Sequence, residues 1–250
     1  MKTRDKILNA ALPLITVAVI VVLWAAAARA VDSEYILPPI GETFTALFEL
    51  FESAEFYRAV FGTLLRSVIA FALSYTAAFL FAFSAYKSEK AKRFLSPVII
   101  IVRALPTIAV ILLLVLWTNS KVAPVIVTML VVFPTLYNNL YAALCGIDKE
   151  LNEMCQVFGV KNAERLKKVV FPQIAPEFIT SAGAGLTLNL KLMVAAEVLA
   201  QTALSMGYLL NTSKIYFEIA TMLALVLITV IKGLITEFLF GLWAKKAVKR

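Results

Sequence analysis

No histidine occurs anywhere in this 250-residue chain, and cysteine occurs only twice. Without histidine a Ser-His-Asp hydrolytic set is impossible, and a zinc site loses its usual nitrogen ligand. The two thiols, Cys145 and Cys155, lie ten residues apart with no CxxC spacing, so neither a metal centre nor a disulfide framework is expected. No GxxxxGK[ST] phosphate loop is present, and any nucleotide that powers this chain must therefore be held by another one. Charge is scarce too, at 16% of residues.

What is there is apolar. Hydrophobic residues make up 61% of the chain and the mean hydropathy is +0.87, more than a water-soluble domain of this length can hide in a core. The composition implies a polytopic membrane protein. A net charge of +8 could suggest nucleic acid, but the lysines and arginines lie in short runs between apolar segments, where they act as topology signals.

The apolar segments predict an all-α fold of six transmembrane helices, forming a single domain over residues 1–250, with spans at about 7–28, 60–86, 97–118, 122–144, 178–200 and 219–243. The first reads as a retained span whose start Pro13 kinks or delays, although Ala28-Arg29-Ala30 also mimics a signal-peptide cleavage site. Spans three and four, joined by the tight turn 119–121, are expected to be antiparallel neighbours. Basic residues concentrate in the start, in Lys87–Arg93, in residues 148–172 and in the end, whereas only Arg29, Arg58, Lys121 and Lys214 fall on the opposite side. Both termini are thus expected in the cytoplasm. Between spans one and two, residues 43–51 place Phe44, Leu47, Phe48 and Phe51 on one helical side, a stripe suited to the outer membrane surface.

The long polar stretch is Asp148–Pro172. Leu151, Met154, Cys155 and Phe158 recur at helical spacing, with Lys149, Asn152, Glu153 and Gln156 on the opposite side. Asp148 suits an N-cap and Gly159 a left-handed stop. A second short helix is expected from Asn162, with Lys161, Glu164, Arg165 and Lys168 on its polar face, ended by Pro172.

Ionisable residues also fall inside spans or at their edges, where each costs about 2.5–3.5 kcal/mol at the membrane centre. Arg66, Arg103, Lys232 and Glu237 are placed so that snorkelling accounts for them. Lys191 lies near the midplane of span five and calls for protein or a wet cavity. Glu197, six residues on, is about 600° around the helix and points away from it. Ser181 and Gly185 form a small-xxx-small pair for close approach of span three or of a second subunit, or for lining a pore. Pro106 and Pro134 bend their spans, as simple kinks or as part of a pathway.

These segments resemble the integral-membrane permeases of binding-protein-dependent ABC importers. The family's cytoplasmic signature is Glu-Ala-Ala, three residues, Gly, nine residues and an apolar-x-Leu-Pro ending. Here Glu153-Met154-Cys155, Gly159 and Val169-Val170-Phe171-Pro172 stand at the same spacing, with Met154, Cys155 and Phe171 departing from it. Tyr35–Pro39, Val194-Ala195-Ala196-Glu197 and Met206-Gly207-Tyr208-Leu209 resemble elements of the nitrate, sulfonate and taurine branch. So do Arg103-x-x-Pro106 with Leu116-Trp117, although Thr118-Asn119 replaces the usual Phe-Gly, and Phe133-Pro134. The similarity covers Tyr35 to the end.

The resemblance implies a non-enzymatic permease subunit in a prokaryotic cell membrane. Its expected partners are two cytoplasmic ATPase subunits, which hold ATP and Mg, a second permease copy, an extracellular or periplasmic solute-binding protein and membrane lipid, with no nucleic acid and no cofactor in this chain. Glu153, Gly159, Arg165 and Pro172 are the expected ATPase-coupling residues. Arg103, Pro106, Asn138, Lys191 and Glu197 are the translocation-pathway candidates. An ion-coupled secondary transporter or channel using Lys191 and Glu197 is the alternative, disfavoured by the absence of an internal repeat, and a membrane scaffold is a third. The sequence leaves the solute open among sulfonates, nitrate-like anions and nitrogen heterocycles.

Overall fold

The computed structural model describes residues 2–248, and among them every regular element is helical. In order these are α1 (Lys2–Val31), α2 (Ile40–Glu52), α3 (Ala54–Lys87), α4 (Glu89–Ala104), α5 (Thr107–Trp117), α6 (Ala123–Cys145), α7 (Lys149–Val157) and α8 (Asn162–Arg165). A π-helical turn (Leu166–Val170) leads into α9 (Phe171–Ala200), followed by α10 (Met206–Ile215) and α11 (Ile219–Val248). The expected roles of the Lys2, Arg4, Lys6, Pro13, Lys149, Asn152, Gln156, Lys249 and Arg250 side chains lie outside the described residues.

Four helices are long and apolar enough to cross a membrane: Ala54–Lys87, Ala123–Cys145, Asn162–Ala200 and Ile219–Lys246. A fifth crossing results if α4 and α5 count as one span, and α1 supplies a shorter apolar helix, Ile15–Val31. α6 packs most extensively on α3 and α9, and α9 in turn on α11.

The packing follows from an inversion of side-chain size on α3. Ala59, Thr63, Ser67, Ala70, Ser74, Ala78, Ala82 and Ala85 recur every three or four residues and are buried, whereas Phe61, Leu65, Val68, Leu73 and Leu80 are exposed. Lipid tails are as apolar as leucine, so large side chains gain nothing by turning inward, while a small-residue stripe lets backbones approach and disperse against each other. α6 fills that stripe with Val132, Leu136, Leu140 and Leu144. A Cβ at Gly185 would meet Leu136 of α6 and Phe71 of α3, so Gly185 serves packing within the chain, against spans four and two, rather than against span three or a second subunit.

The expected single span at 97–118 is instead broken. α4 and α5 meet at a 92° bend because Pro106 has no N–H to continue the helix and forces the preceding Leu105 into an extended conformation, φ −63° and ψ 128°. Pro172 is a correction of the opposite kind. It does not end a helix, since the chain is helical without interruption from Asn162 to Ala200. A proline ring collides with the carbonyl four residues back, and the preceding turn widens, with the Phe171 N–H donating to Leu166 O, five residues back. The expected loop at 201–218 contains α10.

Of the stripe expected on α2, Leu47 turns inward and packs against the cluster around Phe56 and Leu225. Phe44, Phe48 and Phe51 are exposed, while Thr43 and Ala46 are buried and the helix packs on α11.

Candidate functional site

The expected coupling segment lies between α6 and the long helix that ends at Ala200. Asp148 Oδ1 accepts from the N–H groups of Glu150 (2.8 Å) and Leu151 (3.2 Å), capping α7 as expected. Gly159 has φ +66°, and the Val160 N–H donates to Cys155 O at 2.9 Å, the six-to-one bond of a Schellman stop. A Cβ at Gly159 would meet nothing within 4 Å, so glycine is required there by backbone conformation alone. The Asp148 N–H donates to Gln173 Oε1 at 2.9 Å, fastening the start of the segment to the start of α9.

Of the expected apolar face of α7, only Cys155 is buried. Leu151, Met154 and Phe158 are exposed, Phe158 at 77%, as is Val157, which lies off that face. Glu153 is exposed beside them, Pro172 is exposed in the first turn of α9, and Arg165 is half-buried with its Nε enclosed and without a hydrogen-bond partner among the described residues. The four expected coupling residues therefore lie along one segment, which presents an unfilled apolar helix face.

At the opposite end of the bundle the membrane charges are arranged otherwise than expected. Arg66 does not snorkel. Its Nε donates to Glu197 Oε1 at 2.8 Å and its Nη2 to Leu204 O at 3.2 Å. Glu197 is fully buried. Its Oε2 also accepts from the Thr63 hydroxyl at 2.8 Å and the Gly207 N–H at 3.4 Å, and Thr63 Oγ1 accepts from the Met206 N–H at 2.9 Å. The carboxylate thus sits at the N-terminus of α10, where the helix dipole favours negative charge. Lys232 turns toward the same place, with Nζ against Met206 Sδ, instead of snorkelling. A Cβ at Gly62 would collide with Leu204 O, and one at Gly207 with Glu197 and the Val198 backbone. The two glycines let the turn after α9, which holds Gln201 and Leu204 at positive φ, close down on α3. Thr202 completes the fastening, its hydroxyl donating to Ser120 O at 2.6 Å.

The partner of Glu197 is accordingly Arg66 of its own chain and not Lys191. Lys191 is exposed, with its stem beside Gly233 of α11. Asn138 and Asn139 are exposed on α6, and Arg103 and Pro106 are exposed on the two sides of the α4/α5 break. On α9 the exposed Glu177, Thr180, Ala184 and Lys191 follow helical spacing, so among the described residues one face leaves polar and small side chains exposed. Thr63 and Gly62 escaped the sequence reading, as did Glu177. A signal for the first two existed: Arg66 and Glu197 are the charges at corresponding ends of spans two and five, and each needed a counter-ion.

The chain is also similar to known transport proteins. The chain is 23% identical over 234 residues to the putative aliphatic sulfonates transport permease protein SsuC of Bacillus subtilis, covering 93% of this chain and 84% of that one. It is 22% identical over 222 residues to the taurine transport system permease protein TauC of Escherichia coli, covering 86% and 80%. Its fold is similar to an inward-facing structure of the MetNI methionine ABC transporter, with TM-score 0.65, 17% identity and coverage of 77% and 96%. The family described as "Binding-protein-dependent transport system inner membrane component" matches residues 74–249, and with more than half of its length so matched, this chain belongs to that family of ABC importer permeases.

Proposed function

We propose that this chain is the solute-conducting subunit of an importer assembled from two such permeases, two cytoplasmic ATPases and an external solute-binding protein, with ATP and Mg held by the ATPases. In this reading α1 and the broken α4/α5 pair complete six spans, and the coupling segment and both termini face the cytoplasm. The observation that carries it is the exposed apolar face of α7. Leu151, Met154 and Phe158 are left open on one side of a polar segment outside the apolar helices, as expected for a helix laid into a groove of another protein.

ATP-driven closure of the ATPases then draws the two α7 helices together, and the displacement passes through α8 and the π turn into α9. The polar face of α6 and α9, with Asn138 and Lys191, is the proposed pathway, and the Pro106 break with Arg103 is its moving boundary. Glu197 serves instead as the buried fastening of α10. The relatives named for sulfonates and taurine support a small sulfur- or nitrogen-containing organic solute.

The test is co-purification. Tagged permease is expected to bring down a stoichiometric ATPase, and Phe158→Asp to release it while the permease stays in the membrane at normal abundance. Retention of the ATPase by a Val157→Asp/Phe158→Asp double variant would refute the docking role of α7.

A further inference from the structure

Where α6 and α9 approach the coupling segment, they leave a groove of about 470 Å³, large enough for a small solute. Its polar lining is Asn139, Gln173, Glu177, Thr180 and Ser181, and the remaining lining residues are alanine and glycine. Glu177 is the one ionisable side chain among the described lining residues, and it makes no ion pair among them. We infer that this groove is a water-filled release site, in which Glu177 receives a positively charged or N–H-donating group of the solute. The inference rests on the importer reading above and deepens it.

Three observations carry it. The face is not built for lipid: α3 turns phenylalanine and leucine outward, whereas α9 turns out Thr180, Ala184 and Lys191 within span five, with Glu177 just before it, and an ammonium facing hydrocarbon is strongly disfavoured. The lining is also free to act. Thr180 donates to Pro176 O and Gln173 accepts from the Asp148 N–H, while the Glu177 carboxylate takes part in no hydrogen bond among the described residues and is exposed. The charges along the face are ordered as well. Lys191 is fourteen residues, or about 21 Å, farther along α9, so a solute moving toward the coupling end meets a cation first and a carboxylate last. A bare anion attracted at Lys191 is repelled at Glu177, whereas a solute that also bears an amine, an ammonium or a ring N–H is accepted there.

The test uses thiol reagents as the probe. Cys145→Ala and Cys155→Ala remove the native thiols, and Thr180→Cys introduces one in the groove. The complex, purified through its ATPase subunit, is exposed to 2-(trimethylammonium)ethyl and 2-sulfonatoethyl methanethiosulfonate. The cationic reagent is expected to react about tenfold faster or more, the enrichment of counter-ions usual for a charged cleft. Glu177→Gln is expected to abolish the preference and Glu177→Lys to reverse it. Equal rates without Glu177 substitution, or no reaction with either reagent because a second copy or lipid covers the face, overturn the inference. Ala184→Cys provides a second position on the same groove should Thr180→Cys fail to assemble. An ATPase that brings down no permease defeats the importer reading itself, whereas an intact complex that labels without charge preference defeats only the groove.

Discussion

Arg66 and Glu197 are 131 residues apart in the chain and 2.8 Å apart in the fold. Their pairing ties α3 to the end of α9, and the same carboxylate accepts from the Gly207 N–H in the first turn of α10. One ion pair therefore fixes three helices.

Removing one partner of a buried pair strands the other charge, at a cost of about 3–5 kcal/mol. Arg66→Met and Glu197→Gln are each expected to lower the thermal stability of the purified permease, with the Arg66→Met/Glu197→Gln double variant losing less than the sum. Additive losses in a double-mutant cycle would contradict the pairing.

Gly62 and Gly207 test the close approach that the pair requires. Alanine at either position drives a Cβ into backbone atoms of the facing segment, and the expected result is reduced membrane abundance together with a lowered melting temperature. Gly241 is the control: nothing lies within 4 Å of its Cβ position, so Gly241→Ala is expected to be neutral or to stabilise by up to about 1 kcal/mol through helix propensity. Equal behaviour of the three variants would show that the turn after α9 does not pack as described.

Gly159 isolates backbone conformation from packing, because its surroundings are empty. Gly159→Val is expected to cost about 1–2 kcal/mol locally, releasing the ATPase without unfolding the spans, and Gly159→Asn is expected to retain most coupling since asparagine tolerates positive φ. Pull-down of the ATPase reads both. Glu153→Lys, which leaves the backbone alone, is expected to weaken the same association by reversing a charge on the exposed surface.

At Pro106 the expected effect is on motion. Pro106→Ala restores the missing N–H and lets helix extend across Leu105, favouring a straighter α4/α5. Transport is expected to fall while ATPase association persists. Full transport by this variant would remove the break from the proposed pathway.

The sequence made legible what depends on local chemistry. Asp148 and Gly159 announced the two ends of α7, and the long apolar runs announced most of the membrane-spanning helices. It did not show which way those runs would break. Pro106 and Pro172 look alike on paper, yet one opens a 92° bend and the other is absorbed by a widened turn. Both prolines are exposed, and the difference lies in the tether: the Asp148 N–H is bonded to Gln173 and holds the chain beside Pro172. Snorkelling was the default account of Arg66 because pairing across 131 residues leaves no periodic trace in either segment, and the acidic groove at Glu177 depends on two helices meeting.

The uninterrupted helix from Asn162 to Ala200 contains 39 residues, a rod of about 58 Å at 1.5 Å per residue. Its near end is exposed beside α7, and its far end carries Glu197, clamped to α3. A swing of about 5° about the clamped end carries the near end roughly 5 Å, nearly one helical pitch. In the proposed importer the ATPases work at the tip of a long arm, converting a wide stroke outside the bilayer into a small angular change inside it. The widened turn at Leu166–Val170, set close to the driven tip, is where such an arm would flex before the membrane-embedded part had to move.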